Sequence, residues 1–87
     1  MKKNLPTAAW LEIILDLTAE VYGEFFPVMG RDKLSRFTSS VQAVIEEKTN
    51  FTAYKVGQIA WENFADLDRA ATLIELIESN HPELKRP

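Results

Sequence analysis

The stretch that decides the fold is PTAAWLEIILDLTAEVY, residues 6–22. Its apolar side chains recur at helical spacing and, at about 100° per residue, cover roughly half of the helix circumference. Acidic side chains occupy the opposite arc. Because proline suits the first helical turn and the Thr7 hydroxyl can accept a hydrogen bond from a free amide, we expect a helix to begin at Pro6 or Thr7.

Turn signals divide the remaining chain into further helical stretches. Gly23 and Pro27 end the first helix, since glycine costs backbone entropy and proline has no amide hydrogen to donate. Thr52 is placed to cap a later helix, and Asp66 could either cap a new helix or mark a kink. No stretch sustains the alternation of a strand. We predict an all-α, small helical bundle of three to four helices, over residues 6–25, 31–48 and 52–79, the last kinked or split near 66.

Composition indicates one folded helical domain over residues 1–87, with short flexible ends at 1–5 and 81–87. The 87 residues are 46% hydrophobic and 26% charged, with no cysteine, which is ordinary for a globular domain. A chain of this length buries only about 60 to 65% of its unfolded surface. A second copy of the chain is the simplest further support, so we expect a homodimer.

The N-terminal stretch and the net charge restrict location and partners. Lys2 and Lys3 could open a secretory signal, but Pro6, Glu12 and Asp16 interrupt its apolar part. No run approaches the roughly 18 apolar residues of a membrane span. We therefore expect a cytoplasmic protein without a membrane segment. The formal net charge of −3 and the pI near 5.1 disfavour direct contact with nucleic acid.

Carboxylates recur every four residues along the first helix. We name them the acidic strip: Glu12, Asp16, Glu20 and Glu24. Like-charge neighbours at this spacing each cost about 0.2 to 0.5 kcal/mol. The strip is either a solvated face, relieved by basic residues of the second helix, or a docking surface for a basic partner. For the second interpretation we predict that the strip binds a partner protein together with Phe25 and Phe26.

The apolar arc of the first helix poses a second question. Its side chains are either covered from two sides by the protein's own helices or shared with a second subunit. The predicted self-association residues are Trp10, Leu11, Ile14, Leu15 and Tyr22. The apolar connector that begins at Phe25 is likewise either a core plug or an exposed anchor.

Catalytic and metal-binding patterns are weak. There is no cysteine and no Gly-x-Ser-x-Gly elbow, and His81 is the only histidine. Glu78 and His81 have the Glu-x-x-His spacing of di-iron bundles, but Pro82 disfavours helical geometry at the histidine. We predict no catalytic residue, cofactor or metal, and no independent enzyme activity. An enzyme subunit completed by a partner chain stays an open alternative.

A short basic cluster supports the alternative function. It consists of Arg31, Lys33 and Arg36, and a dimer could bring two copies onto one face. The protein would then be a nucleic-acid-associated transcriptional regulator, acting as a dimer or through a DNA-binding partner. Salt-sensitive retention on DNA would distinguish this function from binding to another protein.

Residues 32–82 resemble the Hha family of small bacterial proteins that associate with a nucleoid-associated DNA binder. The resemblance rests on the order of Asp32-Lys33-Leu34-Ser35-Arg36-Phe37, Val44-Ile45-Glu46 and Ala65-Asp66 with Arg69-Ala70. Residues 1–30, which include the acidic strip, have no counterpart in that family. The resemblance illustrates a class, a small helical regulator that acts by binding another protein. Our leading prediction is a small intracellular protein-interaction module, self-associating, that uses its acidic and apolar first helix.

Overall fold

A computed structural model describes residues 5–86. Its helices are α1 Thr7–Tyr22, α2 Arg31–Glu47, α3 Ala53–Phe64 and α4 Leu67–Asn80, with 3-10 segments at Gly23–Val28 and Pro82–Leu84. No strand occurs in this range. The predicted all-α bundle is confirmed, with four helices. The expectation of flexible ends falls in part on residues 1–4 and 87, which lie outside the described residues.

Local capping explains where α3 and α4 begin. The Thr52 hydroxyl accepts a hydrogen bond from the Lys55 amide at 3.1 Å, as the sequence predicted. Asp66 Oδ1 accepts from the Arg69 amide at 3.1 Å. Ala65 and Asp66 both have φ of 60°, a left-handed conformation that no α-helix continues. The third stretch is therefore split at this turn.

The first helix ends at Tyr22, earlier than the predicted residue 25. From Gly23 to Val28 the backbone tightens into a 3-10 segment that contains Pro27. Proline has no amide hydrogen for the α-helical ladder, so the chain leaves the α-helix before it reaches this residue. The prediction placed the end in the right region but gave the last turn the wrong helix type.

The core lies between the four helices, each of which packs against two others, and α1 packs against α2 and α4. Trp10, Ile14 and Tyr22 are exposed by 2%, 0% and 1%. These three side chains are covered by the chain's own helices and have no surface left for a second subunit. The self-association prediction is corrected for them, because this face of α1 is buried in the protein's own core. Leu11 and Leu15 are half-buried against the same core.

The C-terminal segment folds back onto the bundle. After α4 the chain makes the 3-10 turn Pro82–Leu84, and Leu84 is fully buried. The His81 ring stands edge-on to Trp10 with 5.1 Å between the ring centroids. Residues 81–86, expected as part of a flexible end, thus contribute a core anchor that the local sequence did not indicate.

No helix within residues 5–86 is long and apolar enough to cross a membrane.

Candidate interaction groove

An apolar groove of about 280 Å³ lies between α3 and α4. We call it the aromatic groove. It is lined by Tyr54, Gly57, Gln58 and Trp61 of α3 and by Leu67, Ala70, Ala71 and Ile74 of α4. The two helices run antiparallel and are joined by the tight turn at Ala65–Asp66. One end of the groove is therefore closed by the turn, and Tyr54 marks the open end.

Large apolar side chains are concentrated in this groove. Tyr54, Trp61 and Leu67 are exposed by 45%, 48% and 68%. Within the described residues, the only other large hydrophobic side chains this exposed are Leu5 and Val28. Single exposed apolar residues are ordinary on protein surfaces, but a contiguous apolar surface marks an interaction site. The aromatic groove is therefore the candidate functional site.

The periodicity of α3 explains why the aromatic side chains stay outside. The face of α3 that packs against the core carries the buried side chains of Val56, Ile59 and Ala60. Tyr54 and Trp61, seven residues apart, lie on one neighbouring stripe of the helix, about two turns from each other. Because those three side chains already occupy the core along α3, the stripe with Tyr54 and Trp61 lies outside the core and borders the groove.

Gly57 allows α3 and α4 to approach closely at the floor of the groove. A Cβ atom built on Gly57 would lie 2.6 Å from Ile74 Cδ1, well inside van der Waals contact. Gly57 is buried and Ile74 is half-buried. The missing side chain thus lets the two walls of the groove lie close together.

None of the eight residues that line the aromatic groove is charged. Arg86 lies at the open end, where its guanidinium is 4.2 Å from the centroid of the Tyr54 ring. At the turn end, the Asp66 carboxylate pairs with Arg69 at 3.3 Å and borders a different cavity, beside Tyr22.

Three residues of the acidic strip, Glu12, Asp16 and Glu20, lie on the surface of α1, as their spacing predicted, whereas Glu24 lies in the 3-10 segment that follows. All four residues of the strip are exposed. We expected relief from Arg31, Lys33 or Arg36, but among the described residues the ion pair of the strip joins Glu24 Oε2 to Arg69 Nη2 at 3.7 Å. That expectation was wrong, because the cation that reaches the end of α1 is Arg69 of α4, whose guanidinium also binds the Val21 carbonyl.

The connector residues Phe25 and Phe26 are half-buried against the core. The Arg69 guanidinium covers the Phe25 ring at 4.4 Å, and the ring centroids of Phe26 and Phe64 are 6.4 Å apart. Both rings pack mainly within the chain, so the core-plug alternative describes them better than an exposed anchor. Their predicted role in partner binding is weakened, while Val28 beyond them is 82% exposed.

The basic residues of the cluster border different cavities. Arg31, Lys33 and Arg36 are all exposed, but Lys33 borders a cavity beside Tyr22. Arg36 instead borders a shallow polar groove between α2 and α3. The acidic side chains of Asp32 and Glu62 line that same polar groove. A phosphate approaching Arg36 would meet two carboxylates, which does not favour nucleic-acid binding.

The described part of the chain offers few side chains that could support catalysis. No group of three histidine or acidic side chains there could hold a metal ion. The His81 Nδ1 atom lies 3.8 Å from Glu83 Oε2 and not beside Glu78, the partner that its spacing suggested. Burial, and then the nearby Asp66 carboxylate, raise the pKa of Tyr22 to about 12, which keeps this hydroxyl protonated at neutral pH.

Neither a family model, a curated protein nor a solved structure matches this chain. The resemblance of residues 32–82 to the Hha family therefore gains no support. The aromatic groove was missed at the level of sequence, where attention went to α1. The available signal was the pair Tyr54 and Trp61 on one stripe of α3, followed by Leu67 directly after the cap at Asp66.

Proposed function

We propose that this protein is a protein-interaction module that docks partners in the aromatic groove. The observation that carries the proposal is the clustering of Tyr54, Trp61 and Leu67, each at least 45% exposed, around one groove. Tyrosine and tryptophan provide large apolar contact areas at low cost in side-chain entropy, and they are enriched at the energetic centres of interfaces.

The structure moves the apolar part of this proposal away from α1. The sequence favoured α1 because of its wide apolar arc, but Trp10, Ile14 and Tyr22 are buried within the chain. The acidic strip remains exposed, and its role as a second surface for a basic partner stays a prediction. A cytoplasmic location, expected from the interrupted apolar stretch near the N-terminus, is part of the same proposal.

Substitution of groove residues provides the direct test. Trp61→Gln combined with Leu67→Gln removes two exposed apolar side chains, so the fold should persist. The matched control is Val28→Gln, since Val28 is 82% exposed and lies outside the groove. Affinity capture from the native cell followed by mass spectrometry should recover partners with wild type and Val28→Gln, and lose them with the double variant.

Circular dichroism melts of all three proteins establish that the fold is retained. Equal capture by the double variant and by wild type would overturn the assignment of the groove as the docking surface. Loss of capture with Val28→Gln as well would show that the binding depends on general surface apolarity and not on the groove.

A further inference from the structure

We infer that the cavity beside Tyr22 is a binding site for a small carboxylate with an apolar body. This cavity, which we call the Tyr22 cavity, has a volume of about 280 Å³. It lies where the connector Gly23–Val28, the start of α2 and the turn between α3 and α4 meet. It shares no lining residue with the aromatic groove, so the inference goes beyond the proposed function and concerns a second site.

Apolar side chains form one wall of the Tyr22 cavity. Phe25, Met29 and Phe64 line it, and all three pack against the core. Phe64 also packs against Tyr22, with 5.1 Å between the ring centroids. The core thus holds this wall in place before any ligand binds. Because the volume lies near the lower end of the range for ligand sites, about 300 Å³, the ligand has one ring or a short branched chain.

Tyr22 brings a buried hydroxyl to the cavity. Its side chain is 1% exposed, and the hydroxyl has no hydrogen-bond partner within residues 5–86. Most buried polar atoms have a partner, and one without a partner lowers stability. The hydroxyl lies close enough to the Asp66 carboxylate for that charge to raise its pKa, and Asp66 lines the same cavity. The hydroxyl is therefore a donor on the cavity side of the ring.

The charges at the cavity favour an anion. Lys33 lines the cavity, is exposed and makes no ion pair with another described residue. The Asp66 carboxylate lines it too, but it accepts from the Arg69 amide at 3.1 Å and lies 3.3 Å from Arg69 Nε. Gly30, also in the lining, precedes the first turn of α2 and provides no side-chain cap. The first amides of α2 add partial positive charge there.

A carboxylate suits these groups together. Its oxygens can accept from the Lys33 ammonium, the Tyr22 hydroxyl and the first amides of α2, while its apolar body packs against the aromatic wall. An amine would be repelled by Lys33 and would find Asp66 already paired with Arg69. A wholly apolar ligand would leave the Tyr22 hydroxyl without a partner.

Titration with phenylacetate tests the site, and phenylacetamide and acetate are the matched probes. Phenylacetamide keeps the ring and lacks the charge, whereas acetate keeps the charge and lacks the ring. In amide chemical-shift titrations of the full chain, phenylacetate should saturate with a Kd of about 1 mM or below, with the largest shifts at Gly30 and Lys33. Each of the other two probes should bind at least about tenfold more weakly, because it lacks one half of the recognition.

Two substitutions test the polar contacts separately. Lys33→Gln should weaken phenylacetate binding about tenfold and leave phenylacetamide binding unchanged, because it removes only the charge contact. Lys85→Gln, at another exposed lysine that does not line the cavity, is the matched control and should bind as wild type does. Tyr22→Phe keeps the ring and deletes the hydroxyl, so it should weaken phenylacetate binding about fivefold or more without lowering the melting temperature.

Three results would overturn the inference. The first is no saturation by about 20 mM phenylacetate. The second is saturation that neither Lys33→Gln nor Tyr22→Phe weakens, which would place the bound molecule elsewhere. The third is equal affinity for phenylacetamide, which would exclude the carboxylate. Since Lys33 is exposed, Lys33→Gln keeps the test decisive even if Tyr22→Phe is less stable. None of these results bears on partner capture by the aromatic groove, so the two proposals fail independently.

Discussion

Arg69 fastens the end of α1 to the start of α4. Its Nη1 donates to the Val21 carbonyl at 2.7 Å, and its Nε lies 3.3 Å from Asp66 Oδ2. The same guanidinium covers Phe25 and pairs with Glu24. The last carbonyls of a helix have no partner within the helix and carry partial negative charge. One side chain thus satisfies a helix end and shields a half-buried ring.

We expect Arg69→Ala to lower the free energy of unfolding by about 1 to 2 kcal/mol, because it removes a charge-assisted hydrogen bond and the packing over Phe25. The free energy of unfolding of Arg69→Lys should lie between those of wild type and Arg69→Ala, since lysine lacks the planar guanidinium group. The control is Arg36→Ala, an exposed site where a change within about 0.5 kcal/mol is expected. Urea unfolding measures all four proteins, and equal effects at both sites would contradict the role of Arg69.

Tyr22 makes stability depend on alkaline pH. Its hydroxyl is buried without a hydrogen-bond partner, and burial raises its pKa from 10.0 to about 12. Between these values the unfolded chain loses the proton and the folded chain keeps it. The stabilisation is therefore complete below pH 10 and is lost as pH rises to 12, by up to roughly 2.7 kcal/mol.

Tyr22→Phe should abolish the part of the stability loss at alkaline pH that Tyr22 causes. At pH 7 the substitution should be neutral or stabilising, because no hydrogen bond is broken. Lysines titrate in the same range, so the difference between wild type and variant is the quantity to measure. Urea unfolding at pH 8, 10 and 11 would give it. An equal loss of stability with rising pH in wild type and in Tyr22→Phe would show that the pKa of Tyr22 is not raised by folding.

At the scale of elements, the contact between α3 and α4 depends on Gly57. Glycine inside a helix costs about 1 kcal/mol relative to alanine, so Gly57→Ala would stabilise α3 if space allowed. A Cβ atom there would overlap Ile74, and overpacking of this kind costs about 1 to 3 kcal/mol. We expect Gly57→Ala to destabilise the protein by about 1 kcal/mol.

In the control, Gly57→Ala should change stability in the opposite direction. In an Ile74→Ala background the overlap disappears, and Gly57→Ala should then stabilise the protein by up to about 1 kcal/mol. A double-mutant cycle by urea unfolding measures this coupling. Stabilisation by Gly57→Ala in the presence of Ile74 would mean that the isoleucine moves aside at little cost.

At the scale of the whole molecule, the acidic strip accounts for the net charge. Changing Glu12, Asp16 and Glu20 to their amides brings the formal net charge from −3 to zero. Because these side chains are exposed, the free energy of unfolding should stay within about 0.5 kcal/mol of wild type. Solubility at neutral pH should fall, because net charge keeps molecules apart. Glu24 is left intact for its pair with Arg69.

A matched control carries the same charge change elsewhere, with Glu46→Gln, Glu47→Gln and Glu75→Gln. Both triple variants should lose solubility equally. If the strip docks a basic partner, only the first should bind that partner more weakly, with a slower and salt-dependent association. Equal binding by both triple variants would mean that the strip serves only solubility. A large fall in the melting temperature of the first variant would show that its carboxylates have partners within the protein.

The sequence by itself determined the helices. Spacing of apolar residues predicted three helical stretches, and Thr52 and Asp66 occupy capping positions that can be recognised within four residues of chain. These signals are local, since a helix and its cap depend on side chains one turn apart. The same locality explains why the exposed face of the acidic strip was predicted correctly.

Tertiary structure alone decided which apolar surfaces are covered. Arg69 meets the Val21 carbonyl across 48 residues of chain, and no spacing rule could have chosen it over the cations of α2. Leu84 is buried although its segment was expected to be a flexible end, while Trp61 of α3 is 48% exposed. Periodicity shows that a helix has an apolar side, but the neighbouring helices determine which part of that side is removed from water.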